Sequence, residues 1–384
     1  MNKNIQETPL DLEGLNWSLR HFSLPNKTIR LATTFSGIGA IEYAFKRLGI
    51  KHKIVFAGDI NDNCKTSYLA NYDISPEVWH SDIHQLDAKP FRNKVDLLVG
   101  GAPCQAFSIV GNRKGFDDTR GTLFREFARI IRECNPKVFI FENVQGLYNH
   151  DNGQTWEVIR NTFKDYCGYH IFFRRLNSKN YGIPQHRERL YCVGFRKQTK
   201  FLFPAPIECP YVMYDFMEDY RGGDYYVKEY DCKVLTPNKE RREMLAKGIV
   251  LPDYNEFVFR CSDVEDKHYL SQSVADYVLA GGSKGFRTST KTDLKIARPL
   301  LQTMHKMHRA GVDNYVSYNK SKGINGLRRL TPKECLRLMG FTDDFHEVVS
   351  NTSLYMQAGN SIVVDVLIAL LKQMDITKYG IDEK

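Results

Sequence analysis

The first two hundred positions repeat one rhythm: a short apolar run, a turn carrying glycine or an acid, then apolar residues at helical spacing. Ile29 to Phe35 predicts a strand, Gly37 and Gly39 a turn, and Ile41 to Leu48 a helix. Ile54-Val55-Phe56-Ala57 predicts a second strand, ending at Asp59. Val95 to Ala102 reads as a buried strand that gives way to Pro103-Cys104-Gln105. Leu123, Phe127, Ile130 and Ile131 recur at helical spacing. A further apolar run, Lys137 to Phe141, ends in Glu142-Asn143-Val144. Tyr169 to Leu176 and Glu188 to Phe195 predict two more strands, paired as a hairpin. After Arg196 the rhythm fades. Order returns at Leu330-Thr331-Pro332, a helix start with proline in its first turn, and Ile362 to Met374 is apolar on most sides, as a buried helix is.

Alternating strands and helices imply an α/β fold with a doubly wound, mostly parallel sheet covered on both faces. In such sheets ligands bind beyond the carboxyl ends of the strands, where Gly37, Gly39, Asp59, Cys104 and Glu142 all fall. The expected division is an N-terminal arm (1–27), a first domain (28–199) completed by 328–384, and a smaller, mainly irregular or β second domain (200–327).

Net charge sharpens that division. Residues 281–330 hold eleven Lys and Arg but only two acids, an excess equal to the +9 of the whole chain. A basic block rich in Gly, Ser and Thr and lacking counter-charges suits phosphate contacts better than a solvated face. No apolar run approaches the ~20 residues of a membrane span, and the N-terminus lacks a secretory core, so no membrane partner is expected. Nine cysteines without a C-x-x-C pair fit free thiols in a reducing cytoplasm. His305-Lys306-Met307-His308 has metal-like spacing without an evident third ligand, so no metal is expected.

Cys104, at a strand end behind proline, is a candidate nucleophile, and Glu142 a candidate acid. The Phe35-Ser36-Gly37-Ile38-Gly39 turn allows a ligand close to the backbone, and Asp59, twenty residues after Gly39, suits a ribose hydroxyl pair. Glu42 stands where a dinucleotide fingerprint has its third glycine, which disfavours a nicotinamide enzyme. Gln185-His186-Arg187-Glu188-Arg189 reads as the opening of a strand, with Gln185, Arg187 and Arg189 on one face, suited to an anion or a base edge or else to a salt-bridged strand edge.

In order, Phe-x-Gly-x-Gly, Pro-Cys-Gln, Glu-Asn-Val, Gln-x-Arg-x-Arg and Gly359-Asn360-Ser361 resemble the signature blocks of the DNA (cytosine-5)-methyltransferase family, of the bacterial restriction–modification type. Phe107 to Phe124 resembles that family's mobile catalytic loop with the helix after it, and Arg328 to Cys335 its penultimate block. The resemblance runs from about Leu31 to Lys197 and from Arg328 to Leu367.

It implies an S-adenosylmethionine-dependent methyltransferase fold with a target-recognition domain, acting on double-stranded DNA. By the same resemblance Cys104 is the nucleophile, with Gln105, Glu142, Arg187 and Arg189 around the base. Phe35, Ser36, Gly37, Gly39, Asp59, Ile60, Asp82, Ile83, Asn360 and Ser361 would bind S-adenosylmethionine and its product S-adenosylhomocysteine. Ser108, Val110, Arg113, Arg287, Thr288, Lys306, His308 and Arg309 would meet DNA. A monomer in the bacterial cytoplasm, with a cognate restriction endonuclease for the same site, is the expected setting. The alternatives are a tRNA cytosine-5 methyltransferase, disfavoured by the missing Cys-Phe-Thr string, and a DNA-binding relative that has lost catalysis.

Overall fold

The computed structural model describes residues 6–103, 123–218, 264–279, 291–321 and 324–382. Six strands form one sheet: β1 (Ile29–Thr34), β2 (His52–Phe56), β3 (Leu97–Gly100), β4 (Val138–Val144), β5 (His170–Asn177) and β6 (Glu188–Phe195). Their order is β2-β1-β3-β4-β6-β5. The first four run parallel, with Leu31 beside Ile54 and Leu97, and Gly100 beside Phe141. β6 pairs antiparallel with both β4 and β5, so the sheet is mostly parallel with an antiparallel edge.

Local chemistry explains the elements. Helix α1 (Ala40–Leu48) is bounded by two left-handed glycines, Gly39 and Gly49, and helix α2 is Asp62–Asn71. Helix α3 (Leu123–Cys134) buries Phe127, Ile130 and Ile131, three of the four residues its periodicity singled out; the fourth, Leu123, is half-buried, and Phe124 beside it is buried instead. It ends at Asn135, left-handed at φ 50°, followed by Pro136. Phe127, Phe139, Phe141 and Phe163 pack ring against ring where α3 covers the sheet. Truncating such a fully buried ring to alanine costs about 3–5 kcal/mol. The buried Asp96 carboxylate ties the starts of three parallel strands together, meeting Arg30 and Lys137 at 2.8 Å each.

The chain forms two compact units. The first comprises residues 1–177, 188–206 and 366–384. Within it the N-terminal arm is strapped on: Thr8 N–H donates to Phe173 O, and the buried Trp17 indole N–H donates to Ala205 O.

The second unit comprises 178–187 and 207–365. It contains an antiparallel pair, β7 (Tyr315–Ser321) and β8 (Ile324–Arg329). After β8 comes the short helix Pro332–Arg337, closed by a capping box between Thr331 and Glu334. Glu334 also forms a fully buried bidentate ion pair with Arg328 at 2.8 and 2.9 Å. Segment 328–365, grouped from sequence with the first domain, is contiguous by its contacts with the second unit; residues from Val366 onward group with the first.

The expected run Ile362 to Met374 is a helix from Val364 to Met374. Together with the preceding helix it makes a stretch, Asn351–Met374, long and apolar enough for a membrane span, which the sequence reading missed; most of that stretch is buried in the protein.

Candidate active site

In the first unit, β1 stops at Thr34 and the chain turns sharply. Phe35 takes φ 53°, a left-handed conformation costly for an aromatic residue and of the kind that persists at functional turns. Gly37 and Gly39 follow at φ 55° and 77°. Only glycine fits at Gly39, because an added Cβ would stand 2.2 Å from the Tyr72 ring. The Tyr72 hydroxyl in turn donates to Ile38 O and Gly39 O, so the turn is latched. At Gly37 an added Cβ would meet nothing within 4 Å, so the turn presents open space there.

Asp59 lies beyond the end of β2. Its carboxylate accepts from Gly37 N at 3.0 Å and from Asn61 N at 2.9 Å, and burial raises its pKa. Ser36 joins the same two strand ends: its N–H donates to Gly58 O, and its hydroxyl accepts from Gly58 N. Ile60 is 80% exposed, an apolar side chain standing open beside the Asp59 carboxylate. Residues 78–80 extend that edge, with Ala57 N–H donating to Val78 O and His80 N–H to Ala57 O. This carries Asp82 and Ile83 toward the end of β2. Asp82 accepts from His84 N and pairs with the His84 ring, which hold its carboxyl below the usual range. Ile83 packs on the main core.

The second cluster lies at the ends of β3, β4 and β6. Glu142 Oε1 stands 3.3 Å from Arg189 Nε, and Arg189 faces Val144 in the ladder. A Cβ added at Gly101 would stand 3.2 Å from Glu142 Oε2, so the carboxylate lies against the segment leading to Cys104. Asn143 fixes the same junction by donating from Nδ2 to Ala102 O at 2.8 Å. Cys104, Gln105, Ser108, Val110 and Arg113 lie outside the described residues, as do Arg287 and Thr288. Burial pushes five of the described thiols up, Cys134 and Cys167 to about 12 and Cys209 to about 11, with Cys192 and Cys335 also raised, which suits none of these five to nucleophilic attack.

The expectation of one polar face on a strand opening at Gln185 is corrected. β6 begins at Glu188, and Gln185 and Arg187 belong to the second unit. There Gln185 is fully buried, donating to Leu338 O and accepting from Leu300 N. Arg187 is buried too, donating to the carbonyls of Leu300, Gly359 and Ser361 at 2.8–2.9 Å. It thus holds the Asn360-Ser361 turn, while Asn360 Nδ2 donates to Gln302 Oε1.

Among the DNA candidates in this unit, Arg309 is engaged by Asp313 at 2.5 Å and by Thr303 Oγ1 at 2.9 Å. His308 is half-buried, 6.1 Å from the Tyr315 ring, and burial lowers its pKa. Lys306 is exposed, and its neighbour Met307 is 60% exposed. Among the described residues no group of three or more His, Cys, Asp or Glu side chains is placed to hold a metal.

Sequence reasoning passed over Tyr72 and Asn143. Tyr68 and Tyr72 stand four residues apart, a helical spacing that marks one face, and Asn143 follows the singled-out Glu142 directly.

Comparison with known proteins identifies the family. The profile of the family described as C-5 cytosine-specific DNA methylase matches residues 29–375. Type II methyltransferase M.HpaII of Haemophilus parainfluenzae is 34% identical over 90% of this chain and 88% of its own length. Type II methyltransferase M.HhaI of Haemophilus parahaemolyticus is 32% identical over 88% and 92%. The crystal structure of the S. pombe Dnmt2 methyltransferase shares the fold, with TM-score 0.63 at 21% identity over 90% of this chain and 97% of that one. The chain therefore belongs to the C-5 cytosine-specific DNA methylase family and is a DNA (cytosine-5)-methyltransferase.

Proposed function

We propose that the enzyme transfers a methyl group from S-adenosylmethionine to carbon 5 of a cytosine in a defined double-stranded DNA sequence, through a transient Cys104 bond to a base swung out of the duplex. The observation that carries this reading is Glu142 with Arg189 at 3.3 Å, set against Gly101 three residues before Cys104. An acid and a guanidinium held side by side match the two polar faces of cytosine: ring nitrogen 3 with its amine, and the carbonyl oxygen.

Carbon 5 is a weak nucleophile. Attack of the Cys104 thiolate on carbon 6 forms a C–S bond and moves the electron pair of the 5,6 double bond into the ring. Glu142 holds a proton at nitrogen 3, and Arg189 donates to the carbonyl oxygen, so the developing charge is met by fixed groups. S-adenosylmethionine supplies an electrophilic methyl group. Carbon 5 takes that methyl and leaves the neutral thioether; loss of the carbon 5 proton to water or hydroxide then restores the double bond and expels the Cys104 thiolate.

The residues present fit that cofactor. Gly37 offers open space at a turn before a helix N-terminus, Asp59 presents a carboxylate oriented by two backbone N–H groups, and exposed Ile60 can cover an apolar ring face. Phe35, Ser36, Gly39, Asp82 and Ile83 complete the wall in this reading; Asn360 and Ser361 are assigned to the same cofactor by the sequence resemblance alone. A base inside the duplex is out of a thiol's reach, so flipping is required, at an unstacking cost of a few kcal/mol. Basic residues from 281 onward then meet phosphates and base edges, with Lys306 the exposed cation of its turn. In this reading the enzyme is protective and acts as a monomer beside an endonuclease for the same site; two relatives are named Type II methyltransferases.

The test is a duplex carrying 5-fluorocytosine at the target, incubated with donor and digested. A crosslinked peptide containing Cys104 is expected; a crosslink elsewhere, or none, overturns the mechanism. Labelled methyl transfer to duplex DNA and to tRNA, run side by side, checks the substrate.

A further inference from the structure

Glu42 has no part in the chemistry so far. It sits in the first turn of α1, directly behind the cofactor turn, and is fully buried. Tyr68 donates its hydroxyl to Oε1 at 2.7 Å, and the Thr33 hydroxyl reaches the same oxygen at 3.1 Å. Thr33 also contacts the Ser36 hydroxyl at 2.7 Å, and Ser36 accepts from Gly58 N. A hydrogen-bonded line thus runs from Tyr68 through Glu42 and Thr33 into the turn itself. Glu42 Oε2 is buried without a hydrogen-bond partner, and among the described residues no cation pairs with the carboxyl. A buried acid left without a counter-ion needs a reason.

We propose that Glu42 is a positioning residue that makes the cofactor pocket selective for a cation, favouring the sulfonium of the methyl donor over the neutral thioether product. This rests on the cofactor reading above and extends it. Product release is aided by the same charge, because transfer of the methyl group removes the cation that the carboxylate attracts. Among the described residues, the side chains that meet Glu42 with a polar group are hydroxyls: Thr33 on β1 and Tyr68 on the helix Asp62–Asn71. Asp59, which accepts from Gly37 N of the same turn, contributes a second carboxylate. Burial pushes the Glu42 carboxyl up to about 7, so the preference switches on as pH rises through neutrality.

The experiment measures the dissociation constants of S-adenosylmethionine and S-adenosylhomocysteine by calorimetry from pH 6 to 8.5, for the wild type, Glu42→Gln and Tyr68→Phe. In the wild type the preference for the donor should grow on the order of threefold to tenfold across neutrality. Glu42→Gln, which keeps the shape, should bind the product as before and lose the pH-dependent preference that the wild type shows. Tyr68→Phe removes a donor that favours the anion and should move the midpoint to higher pH. Equal weakening of both ligands in Glu42→Gln, or an unchanged midpoint in Tyr68→Phe, overturns the proposal. If neither ligand binds the wild type, the cofactor reading itself fails, a distinct outcome.

Discussion

Arg187 and Arg189 stand two residues apart and meet opposite fates. Arg189 opens β6 in the first unit, partly accessible, with its guanidinium on a carboxylate. Arg187 closes a segment of the second unit, buried, with its donors on three backbone carbonyls. Arg189 keeps its guanidinium partly accessible beside an acid, whereas Arg187 holds a turn. Alternation along a strand puts i and i+2 on one face only if both lie in the strand, and here the strand starts between them.

Variants can break this contrast. The largest effect is expected for Arg187→Ala, which leaves three carbonyls without their donor and should cost about 3–5 kcal/mol of stability. Thermal denaturation reads this, and methyl transfer should recover on cooling. A variant with wild-type stability and no activity would return Arg187 to the chemistry.

Glu42→Gln sets an unpaired acid beside the paired Glu142. The folded-state pKa of Glu42 lies near 7 against an ordinary 4.5, so its contribution to stability is present below about pH 4.5 and lost as pH rises through 7. Glutamine should therefore stabilise the protein by up to about 3 kcal/mol at pH 8, shrinking toward pH 5, as melting curves across pH will show.

Arg189→Ala should lower kcat about a hundredfold, close to 2.7 kcal/mol of barrier, with a melting temperature near wild type. Loss of folding rather than turnover would erase the contrast with Arg187. The smallest effects lie in the turn at 303–313. Lys306→Ala should weaken DNA binding by about 1 kcal/mol and reduce its salt dependence. Arg309→Ala should instead loosen the turn, since its guanidinium is already paired with Asp313; a larger loss of salt dependence for Arg309 than for Lys306 would reverse that assignment.

Much of the site was legible because its signals are local. The Phe35 to Gly39 turn, Asp59 and Glu142 each lie where an apolar run stops, and a parallel sheet collects such ends along one edge. The helix start at Thr331-Pro332 was readable for the same reason. What stayed hidden depends on partners distant in sequence. Nothing near Arg187 announces Leu300 or Gly359, and nothing near Arg328 shows that segment 328–365 takes its contacts from the second unit.

The sequence by itself determined the fold class, the order of the chemical blocks and the residue types available at each strand end, because hydrophobic period and turn chemistry act over a few residues. Only the tertiary structure decided which charges are engaged and which are open: Arg187 against carbonyls, Arg309 against Asp313, Glu142 beside Arg189, and Glu42 buried without a cation among the described residues. A side chain's charge is written in the chain, but burial and the partner at 3 Å fix what that charge can do, and both are set only when remote segments pack.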